Sequence, residues 1–313
     1  MPLITPFDPW KSKYCTCPAK YSFSAYTGCG HGCLYCYASS YIRNFSQPRP
    51  KKELLKRLEM SFTPSFRSGV IRTSIFSAPY EAWKNNVLIK KIPKNSTITI
   101  ANSSDPYQAL EEKLQLTRKT LIILKDFDGR LNIVTKSALI TRDIDVFREF
   151  KNVTVSFTLT SLDEKIAKRI EPFLNYTPKE KLEAISALSK NIPVAVRFDP
   201  LIYPLNTKDI KKVIRALKKS GVKQIITSTY KAKPDNLKRM NKAFPEYAKL
   251  WETLYLKTGE KIGGYNYLPL TLRIKMIEEV REITLSLGLE FSSCREGLSE
   301  LNTAICDGTS LIV

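Results

Sequence analysis

Val153-Thr154-Val155-Ser156-Phe157-Thr158-Leu159-Thr160 alternates apolar and hydroxyl side chains, and within forty residues the chain runs to a second such stretch, Ile192–Asp199. Period-two alternation is the mark of a strand with two unlike faces. Here Val153, Val155, Phe157 and Leu159 form an apolar face for covering helices, and the four hydroxyls form a polar face for an interior. Between the two stretches lie helix start signals: Ser161 with Glu164 reads as a capping box, and Thr177-Pro178 with Glu180 as another. Strand, helix and strand in this order make a parallel βα unit.

Working outward, the same pattern recurs. Further strands are predicted at Tyr21–Tyr26, Thr97–Ser104, Leu131–Ser137 and Val222–Thr229, making six in all. Asp105-Pro106 supplies a cap and an N1 proline for a helix, and Gly221 suits the end of the helix before the sixth strand. Six parallel units suggest an α/β partial (β/α)6 barrel or an open doubly wound sheet, and the partial barrel is the favoured reading. Lys51–Met60 reads as a helix and Phe62–Trp83 as an aromatic insertion at the barrel mouth. The organisation expected is an N-terminal segment over 1–20, a barrel over 21–230 and a helical C-terminal extension over 231–313. In that extension Leu237–Leu256 and Leu270–Leu287 are predicted helices, the linker Lys257–Pro269 holds three glycines and a proline, and Leu289–Ser293 is a last short strand. The extension is either a separate cap or the closure of the open barrel edge.

The chain has 313 residues, 43% of them hydrophobic, and no run approaches the roughly 20 apolar residues of a membrane span. Met1–Trp10 carries three prolines and an aspartate but no basic and apolar leader, so a cytoplasmic location is expected. The formal charge is +20, and Lys208–Lys242 holds twelve basic residues against Asp209 and Asp235. Such a field draws polyanions, DNA or RNA among them. The alternative is a solvated lysine-rich surface, because Val213, Ile214 and Leu217 mark the buried stripe of the same helix.

Seven cysteines fall at 15 and 17, at 29, 33 and 36, and at 294 and 306. Tyr26–Ala38 reads Tyr-Thr-Gly-Cys-Gly-His-Gly-Cys-Leu-Tyr-Cys-Tyr-Ala, which places CxxxCxxC directly after the first strand. Three thiolates on one glycine-rich loop suit the irons of a cubane cluster and leave one iron open. A zinc knuckle completed by His31, Cys15 or Cys17 is the alternative. His31 itself reads as a hydrogen-bond donor within the loop.

The loop with Tyr35, Tyr37 and Ala38 resembles the cluster motif of the radical S-adenosylmethionine enzymes, in particular the spore photoproduct lyase-like group. So do Ser104-Asp105-Pro106-Tyr107-Gln108, Leu116-Thr117-Arg118, Thr135-Lys136-Ser137, Arg142-Asp143-Ile144-Asp145, Glu171-Pro172 and Cys294-Arg295-Glu296-Gly297. The resemblance implies a 4Fe–4S cluster on Cys29, Cys33 and Cys36. Its open iron would chelate S-adenosylmethionine, an electron donor would drive reductive cleavage, and the resulting 5′-deoxyadenosyl radical would abstract hydrogen from a substrate. Tyr35 fills the aromatic place before the third cysteine. Ser156 and Lys136 are the expected partners of the methionine carboxylate, Ser104 and Asp105 of its amino group, and Arg197 with Asp199 forms a cofactor or substrate contact or else an ion pair ordering the mouth. The sequence departs from the lyases at Asn102, where they carry a cysteine that returns a hydrogen atom, so thymine-dimer repair is not carried over. The leading expectation is modification or repair of a nucleic acid. Alternatives are the same chemistry on a protein or small metabolite, and a non-catalytic zinc-containing nucleic-acid-binding protein. Cys15, Cys17, Cys294 and Cys306 are candidates for a second, four-cysteine site holding an auxiliary cluster or zinc, against the alternative of buried free thiols.

Overall fold

Runs of β-branched residues such as Thr97-Ile98-Thr99-Ile100 build the strands, because branched side chains pack well on a pleated surface. A computed structural model describes residues 4–7, 14–42, 44–55, 58, 92–93, 95–101 and 103–312. Its main sheet has the order β1 (Ile4–Pro6), β2 (Tyr21–Phe23), β5 (Thr97–Ile100), β6 (Arg130–Thr135), β7 (Val153–Thr158), β8 (Val194–Leu201), β9 (Gln224–Thr229) and β12 (Glu290–Ser293). The short pairs β3 (Tyr26–Thr27) with β4 (Arg49–Pro50), and β10 (Glu260–Ile262) with β11 (Tyr265–Tyr267), stand outside it.

From β2 to β12 every neighbouring pair is parallel, whereas β1 is antiparallel to β2. Strand order rises with chain order and never reverses. A doubly wound sheet reverses at its switch point, so this is the order of a barrel, left open because β1 and β12 do not pair. All six predicted barrel strands are present. The first is shorter than expected, since pairing with β5 stops at Phe23 and the chain turns into β3. The predicted last strand, β12, joins the sheet beside β9 with Glu290 opposite Gln224.

The helices show which local signals survive packing. The Thr177 capping box forms as expected, with Thr177 Oγ1 accepting from Glu180 N and Glu180 reaching back to Thr177 N. Ser161 and Glu164 do not form one. Asp163 caps that helix by accepting from Ile166 N at 3.0 Å, and Ser161 accepts from Asp163 N just before it. The predicted helix over 237–256 is broken at Phe244-Pro245 into Pro234–Ala243 and Pro245–Glu252, because proline starts a helix readily and cannot continue one. Leu270–Ser286 is helical as expected, and Gly221 ends the preceding helix at φ +84°. Residues 52–55 are helical, while the rest of the Lys51–Met60 expectation falls largely, and Phe62–Trp83 wholly, outside the described residues. Among the described residues no helix is long and apolar enough to cross a membrane.

The alternation in β7 also holds. Val155, Phe157 and Leu159 are fully buried in the core between sheet and helices. The opposite face does not stand open along its length. Residues 306–309 run inside the barrel, where Asn132 Nδ2 and Ser156 Oγ both donate to the Asp307 carbonyl, at 2.9 and 2.8 Å. Gly308 passes so close that a Cβ there would lie 2.9 Å from Ser156 Oγ and from Ala195 Cβ. The C-terminal segment thus floors the interior, and the space above it, at the C-terminal ends of the strands, is the candidate site.

Candidate active site

The cysteine loop is held by its own hydrogen bonds. Cys29 N donates to Phe45 O at 2.8 Å, Gly30 N to Gln108 Oε1 at 2.9 Å, and Leu34 N to Ile170 O at 2.9 Å. Arg239 closes the far side, donating to the carbonyls of Leu34 and Cys36 and to Ser39 Oγ. Gly28 makes the first turn at φ +82°, and a Cβ there would meet Phe45 O at 2.6 Å. A side chain in that left-handed conformation costs about 1–2 kcal/mol before any clash. Gly28→Ala should therefore lower the iron bound per chain although all three cysteines remain, as iron analysis after anaerobic reconstitution would show.

Cys29, Cys33 and Cys36 border one cavity of about 340 Å³, together with His31, Tyr35, Ser104, Asp105, Lys136, Thr158 and Arg197. Burial pushes the Cys29 thiol up to about 12, and Asp105 and Cys33 add to it; burial likewise raises Cys33 to about 11 against the pull of Lys136. Thiols so placed give up their protons readily only to a metal, and this donor set fits an iron–sulfur group. His31 is buried, and its Nε2 stands 3.4 Å from Asp105 Oδ2, so the ring faces the aspartate.

Asp105 is not a helix cap. The helix begins at Ala109, and Asp105 instead joins two strand ends: Oδ1 accepts from Tyr107 N at 2.9 Å and Thr135 Oγ1 at 2.7 Å, and Oδ2 from Lys136 N at 3.0 Å. Burial works against its charge, but His31 and these donors outweigh it and hold the carboxyl below the usual range. Ser104 Oγ donates to Tyr26 O at 3.1 Å, pinning the chain after β5 to the loop.

Lys136 lies where the sequence places it, at the end of β6, yet its ammonium is turned to other groups than a free carboxylate. Nζ is 2.6 Å from Tyr35 OH, 3.1 Å from Glu171 Oε1 and 3.3 Å from Cys33 Sγ. Glu171 also accepts from the Tyr35 hydroxyl, from Thr160 Oγ1 at 3.1 Å and from Lys181 Nζ at 2.7 Å. Ser156 is the larger correction. It lies below the cavity, fully buried, with its hydroxyl committed to Asp307 O, and Thr158 two residues on is the β7 hydroxyl that borders the space. Arg197 borders the cavity and pairs with Asp199 at 2.8 Å, donating also to Cys306 O. Asn102 lies outside the described residues.

Glu171, Lys181 and Gln108 have no role that the sequence alone assigns, although Glu171-Pro172 and Gln108 sit in stretches that carry the resemblance. At the opposite wall Glu296 is equally central: it accepts from Thr229 N and Oγ1, from Lys231 Nζ at 2.7 Å, and lies 3.5 Å from the fully buried Arg273.

The basic stretch is divided by the fold. Lys231 is spent on Glu296 and Arg239 on the cysteine loop, while the lysines of the helix Ile210–Lys219 lie on its outer face. Ile210, Val213, Ile214 and Leu217 bury the inner face of that helix, and none of its lysines borders the cavity.

A family model described as the Radical SAM superfamily matches residues 23–242, more than half of the chain, and the chain belongs to that superfamily. It is therefore an enzyme, and the family implies a 4Fe–4S cluster and S-adenosylmethionine. An uncharacterized protein of Methanocaldococcus jannaschii is 28% identical over 183 residues, covering 55% of this chain and 56% of its own. An uncharacterized protein of Acidianus two-tailed virus is 26% identical over 205 residues, covering 63% of each. The chain thus matches less than two thirds of the length of these relatives. Among solved structures, a spore photoproduct lyase complexed with dinucleoside spore photoproduct superposes with a TM-score of 0.60 at 17% identity, covering 91% of this chain and 79% of that one. A mutant of that lyase with bound AdoMet and dinucleoside spore photoproduct gives 0.62 at 16% identity, with the same coverage. At such identities the likeness is one of fold.

Proposed function

We propose that this chain is a cytoplasmic radical S-adenosylmethionine enzyme acting on a nucleic acid, with Cys29, Cys33 and Cys36 holding the cluster and an electron donor as partner. The observation that carries the reading is the single cavity that joins those three cysteines to a basic and aromatic rim. Lys20, Lys136, Arg197, Lys231 and Arg295 line it, the first four also paired with Asp307, Glu171, Asp199 and Glu296, and Tyr37 and Tyr265 stand beside them. Tyr37 and Tyr41 are exposed, with ring centroids 6.1 Å apart. Cations suit phosphate, and tyrosine faces suit stacked bases. Two of the solved lyase structures of this fold hold dinucleoside spore photoproduct, which supports the same substrate class.

When bound, the cluster and S-adenosylmethionine supply reductive cleavage and a carbon radical; the chain supplies position and exclusion of water. In this reading Ser104 would accept from the methionine ammonium and Arg197 would donate to the carboxylate. Tyr35, Asp105 and Lys136 act one step back, holding the cysteine loop against the strand ends.

Reconstituted anaerobically, the protein should be brown and release 5′-deoxyadenosine, and sequencing or mass spectrometry of copurifying nucleic acids should name the substrate. A colourless protein carrying only zinc would sink the reading. If the outer-face lysines dock the nucleic acid, replacing Lys211, Lys212, Lys218 and Lys219 with Glu should weaken binding. It should also flatten the plot of log affinity against log salt by about 0.9 for each duplex phosphate no longer neutralised. Their place on the barrel flank makes this a sharp test, because a substrate held at the cavity rim alone would leave the slope unchanged.

A further inference from the structure

Four cysteines take no part in the site above. Cys15 and Cys17 lie on the segment leading into β2, Cys294 directly after β12, and Cys306 on the segment that floors the barrel. They come from opposite ends of the chain and meet. Cys17 Sγ is 3.6 Å from Cys306 Sγ, Cys15 interacts with Cys17, and Cys294 with Cys306, so the thiols form a string along one side of the cavity.

The backbone carrying this string is fixed on both sides. Lys20 Nζ pairs with Asp307 at 2.5 Å, both side chains nearly fully buried, which ties the N-terminal segment to the C-terminal one. Cys294 N donates to Thr227 O at 2.8 Å and Arg197 to Cys306 O at 3.3 Å.

A buried free cysteine behaves as a small hydrophobe, whereas these four are gathered in a polar place with the Lys20 and Arg197 charges beside Cys17. Four thiolates around a divalent ion leave net negative charge, and Lys20 and Arg197, although paired with Asp307 and Asp199, stand beside it. Ligands at about 2.3 Å from a tetrahedral ion sit about 3.8 Å from one another, and the Cys17–Cys306 separation is close to that length. Among the described residues no three donors yet surround one point. Cys17 and Cys306 stand close enough to share an ion, and Cys15 and Cys294 would have to turn inward to join them. We propose that Cys15, Cys17, Cys294 and Cys306 bind a thiophilic metal centre, zinc or iron, separate from that of the loop cysteines and joining the two ends of the chain along one side of the active-site cavity.

The test uses the full chain with Cys29, Cys33 and Cys36 replaced by Ala, so that the loop contributes no metal. Purified without oxygen, this variant should retain zinc, or iron with or without sulfide, and should develop cobalt–thiolate absorption when titrated with Co²⁺. Adding Cys17→Ser and Cys306→Ser should abolish both, while the same two changes in the wild-type chain should leave the loop-dependent iron in place, which also shows that the fold survives. Absence of zinc, iron and cobalt absorption in the loop variant would overturn the proposal. So would metal that persists after the two serine changes, or a Cys17–Cys306 disulfide found by mass spectrometry in place of metal. A failure here leaves the radical reading standing, because that reading is judged by loop-dependent iron and 5′-deoxyadenosine.

Discussion

Replacing Cys29, Cys33 and Cys36 with Ala is expected to remove S-adenosylmethionine cleavage down to the buffer baseline and to erase the broad visible absorption that depends on the loop. The loop is also held by hydrogen bonds within the chain. Cys29 N and Leu34 N find their partners in Phe45 O and Ile170 O, Gln108 bridges Gly28 and Gly30, and Arg239 ties Leu34, Cys36 and Ser39 to the helix Pro234–Ala243. The variant should therefore keep the circular dichroism of the wild type and lose only what the thiols hold. Each single replacement should behave nearly as severely, because a cubane with one open iron has three protein ligands and none to spare. Iron analysis, visible spectra and 5′-deoxyadenosine release measured on one preparation separate loss of ligand from loss of fold. Full cleavage by the triple variant would remove the three cysteines from the mechanism.

What the sequence made legible was local. The cysteine spacing, the two faces of β7 and the Thr177 capping box are each written within about ten residues, and each is found in the structure. Ser156 shows where that legibility ends. Its hydroxyl does face the interior, as the alternation required, but the interior at that level is filled by Asp307, from a segment 151 residues further along the chain. No periodicity announces that a distant tail will floor a barrel. Asp105 fails in the same way: Asp-Pro is a sound local cap signal, yet three donors from Tyr107, Thr135 and Lys136 offered the carboxylate more than one helix N–H could. Lys136 ends β6 as expected, and its ion-pair partner Glu171, at the end of the helix Glu164–Ile170, lies 35 residues further on, beyond the reach of any local signal. The meeting of the two cysteine pairs, in contrast, was foreshadowed by arithmetic, since seven thiols less three leaves four.

Glu171→Gln should be the costliest change away from the cysteines. The carboxylate is almost fully buried and pairs with two ammonium groups at once, Lys136 at 3.1 Å and Lys181 at 2.7 Å, the Lys181 side chain being only 2% exposed. Neutralising the shared anion leaves both cations in place without a counter-charge, and breaking a buried pair costs about 3–5 kcal/mol. That loss should appear as a lower urea midpoint in the metal-free chain, and Lys181→Met added to Glu171→Leu should recover part of it by removing one stranded cation. The pH dependence gives an independent check. Burial acts to raise the Glu171 carboxyl, but Lys136 and Lys181 outweigh it and hold the group well below the usual glutamate value of 4.5. A depressed folded value means that the unfolded chain takes up the proton first as pH falls. The stabilisation is thus complete above about pH 4.5 and drains away below it, toward the folded value. Wild type and Glu171→Gln should therefore differ by a constant amount from neutral pH down to about 5 and converge at lower pH. A gap that stays constant into strong acid would mean that Glu171 holds the two lysines by shape and not by charge, and Tyr35 and Cys33 would then owe their positions to something other than this ion pair.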